Sequence, residues 1–216
     1  MRAAKLRISH LPLARWFPAN DSVATSIARL CVLREDLYLE LEGIDEDPIA
    51  TLDACSRAWR TTYFFRNITR TLLEIRSAVE RLKMEQSFLL DLSRQPRPLS
   101  EALTDLTSSL IRAHGHIKRL RNDLAGHLQH SAIEGALHQL TPDTKGLFQI
   151  GNTWQDMHYK FALEFISAAM LRHVEFQEAE QEWRKILQAT LEAGYSAIPA
   201  IDSLFFAYVQ IRNLSI

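Results

Sequence analysis

An all-α helical bundle of about six or seven helices, two of them long, is the fold class that the sequence predicts, on three observations. Apolar residues recur at three, four or seven along almost the whole chain, which is the spacing of a helix face. Only 7 Gly and 7 Pro occur in 216 residues, too few turn formers for a many-stranded sheet. The stretch 49–83 contains neither, so it reads as one long helix. With 47% hydrophobic and 24% charged residues the composition is that of an ordinary globular protein. A single domain over 1–216 is expected: an N-terminal tail 1–20, a bundle core 21–130 and C-terminal helices 131–216.

The elements follow in order. Asp21 and Ser22 supply an N-cap, and Val23, Ile27, Leu30, Leu37 and Leu41 then mark a core face. The piece Leu37–Glu42 also alternates like a strand, but the longer helical pattern runs through it and Gly43 is expected to stop it. Asp45-Glu46-Asp47-Pro48 is a restart signal, with Asp to cap and Pro at the first helical position. On the long helix from Ile49 to Lys83, the expected apolar face holds Leu52, Cys55, Trp59, Tyr63, Ile68, Leu72, Ile75, Val79 and Leu82. Arg57, Arg60, Arg66, Arg70, Arg76 and Arg81 lie opposite, with Arg70–Glu74 and Arg76–Glu80 as expected i,i+4 pairs. Gln95-Pro96-Arg97-Pro98 breaks the chain.

A second long helix is expected over 100–128, then a short one over 131–140 and a turn at Thr141-Pro142-Asp143. Asn152 or Thr153 can cap a helix running to His173. A charged helical stretch from Glu175 should end at Gly194, and Pro199 should open a final apolar helix with Leu204, Phe205, Phe206 and Tyr208.

Bulk charge excludes some function classes. A net charge of -1 gives no gross attraction to nucleic acid or membrane, leaving only local basic patches. Cys31 and Cys55 sit in apolar helical patterns and read as free thiols, which fits a reducing, cytoplasmic setting. The first 18 residues lack the apolar run of a signal peptide, and no stretch approaches the roughly 20 apolar residues of a membrane span. No Gly-rich phosphate loop, nucleophile elbow or dinucleotide fingerprint is present, and no cofactor is expected.

Histidine is the side chain that titrates near neutrality unaided, and four of the eight lie between Ile111 and His130. His114, His116, His127 and His130 share that window with Arg112, Lys118, Arg119 and Arg121, against Asp123 alone. On a helical wheel with His116 at zero, Leu106, Leu110, Ala113, Ile117, Leu120, Leu124 and Leu128 fall between about 40° and 120°. His127 falls near 20° and Arg121 near 140°, so the two flank one packed face about 120° apart. A second copy of the helix across a two-fold axis, or a bend at Gly126, would bring them to one atom. Guanidinium for phosphate charge and imidazole for proton transfer then make a phosphodiester site.

The run Lys118-Arg119-Leu120-Arg121-Asn122-Asp123-Leu124-Ala125-Gly126-His127-Leu128 resembles the signature of the HEPN superfamily. That signature is Arg, commonly a polar residue such as Asn, a short spacer and His, late in a long helix. Here five residues separate Arg121 from His127, and Asn122 fills the polar position. The resemblance implies an all-helical homodimer and, in many members, a metal-independent endoribonuclease of toxin, antiphage or RNA-processing systems. It implies Arg121, Asn122 and His127 as the catalytic set from each subunit. It also implies attack of a ribose 2′-hydroxyl on the adjacent phosphorus, leaving a cyclic phosphate and a 5′-hydroxyl.

His116, Arg119 and His130, from the same basic window, are the candidate substrate-binding residues. RNA, a second copy of the chain, and an antitoxin or other protein are the expected partners; no membrane contact is expected. Two other readings compete. His127, His130 and Asp123 share a face and resemble part of a metal site, but no Cys or His-Glu-x-x-His pattern completes it, and no metal is expected. Alternatively, the chain is a non-catalytic helical interaction module, an inactive relative that binds a partner protein.

Overall fold

The computed structural model describes residues 11–45, 54–120, 130–139, 141, 143, 145–150, 159, 161–171 and 178–214. Among these the protein is all helical. Its helices are α1 (Leu13–Trp16), α2 (Ser22–Asp45), α3 (Ala54–Leu82), α4 (Gln86–Ser93), α5 (Arg97–Leu120), α6 (His130–Gln139), α7 (Ala162–Leu171) and α8 (Ala179–Ile211). The two that the sequence did not predict are the single turn α1 and the eight-residue α4.

Asp21 caps α2 as the sequence predicts: its Oδ1 accepts the Ala24 N–H at 2.9 Å. Val23, Ile27, Leu30, Leu37 and Leu41 are all buried. Gly43, however, does not end the helix, which continues to Asp45. A Cβ at Gly43 would lie 2.5 Å from the Phe64 ring, so the missing side chain is what seats that ring. The neighbouring Arg60 donates to the Gly43 carbonyl oxygen at 3.1 Å and lies over the Phe64 ring.

On α3, Ile68, Leu72, Ile75, Val79 and Leu82 are buried as expected, but Trp59 and Tyr63 are 40% and 53% exposed. Nine residues separate Trp59 from Ile68, about half a rotation around the helix, so the two cannot share a face. Phe65 takes the core position at that level. The expected i,i+4 pairs are replaced as well: Glu74 pairs with Arg29 of α2, and Glu80 with Lys83 at 3.2 Å.

The proline segment starts α5 rather than merely separating two helices. The Pro96 carbonyl accepts the Leu99 and Ser100 N–H groups, and Pro98 sits in the first turn, where its missing N–H leaves no bond unmade. Leu106, Leu110 and Ala113 then face the core, as their spacing predicts. Of the helix expected from Asn152 or Thr153 to His173, the described part is α7, Ala162–Leu171; Asn152, Thr153 and His173 lie outside the described residues. Ahead of α7, Phe161 N–H donates to the Leu147 carbonyl at 2.8 Å and Tyr159 stacks on Phe148, which ties this stretch to the preceding loop.

At the C-terminus a single helix replaces the expected two. α8 runs through both Gly194 and Pro199. Pro199 removes one helical hydrogen bond and crowds the preceding turn, an ordinary cause of a break. Here Ala193, Ala197, Ala200, Ile201, Leu204, Ala207 and Tyr208 are buried on both sides of it, and that packing outweighs the local cost. Gly194 lies against Leu41 and Leu37 of α2, with Leu41 Cδ2 only 3.3 Å from where a Cβ would stand.

The main core draws on α2, α3, α4, α5 and α8. A smaller cluster joins Phe65 of α3, Ala136 of α6, Ile166 of α7 and Ile186 of α8, with Trp183 edge-on to Phe65 at 5.0 Å. The single turn α1 is tied in by buried Trp16, whose carbonyl accepts the Tyr208 hydroxyl and whose ring stacks on Phe205. Arg34 bonds Asp202 at 3.1 Å, linking α2 to α8. Among the described residues no helix is long and apolar enough to cross a membrane.

Gly43→Ala should destabilise the protein by about 1–2 kcal/mol, because crowding the Phe64 ring outweighs the gain in helix propensity. Urea unfolding checks this; a midpoint raised above wild type would show that the ring moves aside freely.

Candidate functional site

The catalytic candidates Arg121, Asn122 and His127 lie outside the described residues. In the chain they follow α5 directly and precede α6 directly. The same holds for the face expected of Leu124 and Leu128, for Asp123, and for the bend at Gly126. Of the substrate-binding candidates, His116 and Arg119 fall on the last turns of α5, and His130 is the exposed first residue of α6. Their mutual distances are not part of the described geometry.

What the structure does give is how the flanking helices are fixed. α5 is held by Ala102, Leu103, Leu106, Leu110 and Ala113 in the main core. α6 is held by Ala136 in the smaller cluster, beside Ile166 of α7. The helices on either side of the basic segment thus pack into two apolar clusters, to both of which α3 and α8 contribute. Interiors of this kind are close-packed, so both anchor points are stiff.

Three further groups were candidates for chemistry. Burial above all, then the Asp202 and Glu35 charges, pushes the Cys31 thiol up to about 11. It therefore stays protonated at neutral pH and is a poor nucleophile. Among the described residues no group of three His, Cys, Asp or Glu side chains could hold a metal ion. An open pocket of about 510 Å³ lies at the start of α2, where Asp21, Ser22, Arg81, Met84 and Glu85 line it. It contains none of the candidate site residues.

Glu40 escaped the sequence reading altogether. It is buried between α2 and α3, with Oε1 accepting the Thr71 hydroxyl at 3.0 Å and Oε2 buried without a hydrogen-bond partner. Burial raises its carboxyl to about 7; the Thr71 hydrogen bond and the Arg70 charge oppose that rise, and Asp36 adds to it. The sequence signal was its place three residues after Leu37 and one before Leu41, on the edge of the core stripe.

Compared with known protein families, curated proteins and solved structures, the chain matches none.

The Glu40 carboxyl gives a signed pH dependence. It releases its proton near 4.5 in the unfolded chain but only near 7 in the fold, so stability falls as pH rises through that window and stays low above it. Relative to Glu40→Gln, the wild type should lose on the order of 1–3 kcal/mol between about pH 4.5 and about pH 8. Urea midpoints measured across that range would run parallel for the two proteins if Glu40 were already ionised in the fold at low pH.

Proposed function

We propose that the chain is a metal-independent endoribonuclease of the HEPN type that acts as a homodimer. The observation that carries the reading is Arg121-Asn122 followed by His127 in an all-helical chain, directly after the long helix α5. His127 takes the proton of a ribose 2′-hydroxyl, and that oxygen attacks the adjacent phosphorus. Arg121 forms paired hydrogen bonds to the non-bridging oxygens as their charge builds, and Asn122 supplies a further donor. The 5′-oxygen of the next nucleotide leaves with a proton, so the products carry a 2′,3′-cyclic phosphate and a 5′-hydroxyl.

On one straight helix Arg121 and His127 stand about 120° apart, which calls for a second subunit. A two-fold interface repeats both groups across one cleft. His116, Arg119 and His130 extend the basic ground around it for the RNA backbone. A toxin or antiphage role in the cytoplasm, with an antitoxin or other protein as partner, belongs to the same reading.

A non-catalytic interaction module is the second reading, and one observation favours it. Leu147, Phe148 and Ile150 are exposed together in the loop before α7, with Tyr159 stacked on Phe148. Exposed apolar clusters of this kind mark contact surfaces for other proteins.

Incubation of the purified chain with total cellular RNA and EDTA separates the two. Wild type should yield fragments ending in 2′,3′-cyclic phosphate. His127→Ala and Arg121→Ala should each slow cleavage by about a hundredfold or more, with helical content and dimerisation unchanged. Wild-type rates from both variants, or no cleavage by wild type, would overturn the enzyme.

A further inference from the structure

We propose that the exposed face of α3 is a binding track for single-stranded RNA, with Trp59 and Tyr63 as base-stacking platforms and Arg66 and Arg70 as phosphate contacts. The inference takes from the proposed function only the class of polymer; the surface itself is read from α3. Trp59, Tyr63, Arg66 and Arg70 fall within an arc of about 60° on the helix and span about 16 Å along it. That arc is opposite the buried row of Ile68, Leu72 and Val79. The two large rings are 40% and 53% exposed and belong to neither apolar cluster.

Charge favours an anionic polymer over an apolar protein partner. α3 carries six arginines against two glutamates, in a chain whose net charge is -1. Both glutamates are occupied elsewhere, Glu74 by Arg29 and Glu80 by Lys83. Arg70 is exposed and forms no ion pair among the described residues. The carboxyl that its charge reaches, Glu40, is buried and held toward its neutral form. Arg66 is half-buried, and burial lowers the pKa of its guanidinium while Tyr63 opposes that.

Stacking rings followed in line by guanidiniums are the arrangement that holds unpaired bases and their backbone without reading sequence. A duplex hides its base faces, so this surface discriminates against it. Arg81, exposed further along the same face, extends the basic line toward α4.

The test uses the full chain carrying Arg121→Ala and His127→Ala, so that binding is read without cleavage, and a fluorescein-labelled oligouridylate followed by anisotropy. Trp59→Ala and Tyr63→Ala should each weaken binding about fivefold to a hundredfold. Arg70→Ala should weaken it and lower the slope of log affinity against log salt by about one. None of the three belongs to an apolar cluster, so helical content should not change, and binding is compared at a temperature where every variant is folded. Unaltered affinity in the Trp59→Ala/Tyr63→Ala double variant would overturn the track, as would failure of the parent to bind the oligomer. Ring-dependent binding by a chain that never cleaves RNA supports the track while refuting the nuclease; cleavage and binding that ignore both rings do the reverse.

Discussion

Continuity of α8 past Pro199 is the constraint on which the rest of the bundle depends. Proline inside a helix costs about 3 kcal/mol or more in isolation, so something must hold the two halves in line. That something is a row of small and medium apolar side chains, from Ala193 to Tyr208, sunk against α2 and α5. Gly194 lets Leu37 and Leu41 of α2 close in on the helix, and Arg34 and Asp202 clamp the same pair of helices from the edge. Further along, the Tyr208 hydroxyl reaches the Trp16 carbonyl and brings the chain's early turn onto the same helix. Before Pro199 the same helix also reaches the smaller cluster through Ile186, where Trp183 lies edge-on to Phe65.

This architecture bears directly on the proposed chemistry. α5 is fixed by the α8 packing up to Ala113, and α6 carries Ala136 in the smaller cluster. A phosphodiester site needs its acid–base group and its charge-stabilising group held within a fraction of an ångström. The arginine-rich face of α3 is turned outward because α3's opposite face is used by both clusters.

Much of the fold was legible wherever the apolar repeat stayed in phase. Val23 to Leu41 and Leu106 to Ala113 kept one phase and were read correctly. Trp59 and Tyr63 were misread because hydrophobicity was allowed to outweigh phase: counted from Ile68, both fall on the solvent side. Gly43, Gly194 and Pro199 were read as punctuation, their commonest local meaning, yet each lies inside a helix whose tertiary packing overrides it. No local pattern shows that a glycine is needed to admit the ring of Phe64 from another helix. α4, only eight residues long, carried too short a repeat to register. Glu40 was missed because a single acid within an apolar run reads as solvated until its neighbours are known. The catalytic candidates rest on spacing and residue type, the part of a site that sequence expresses best; convergence is the part that it does not express.

That convergence is the central claim, and mixing two inactive subunits tests it most directly. Arg121→Ala and His127→Ala proteins, purified separately and allowed to exchange subunits, should recover RNA cleavage. The mixed dimer restores Arg121 from one subunit and His127 from the other to a shared cleft. A mixture that exchanges subunits yet stays inactive, beside an active wild type, would contradict a site built across the two-fold axis.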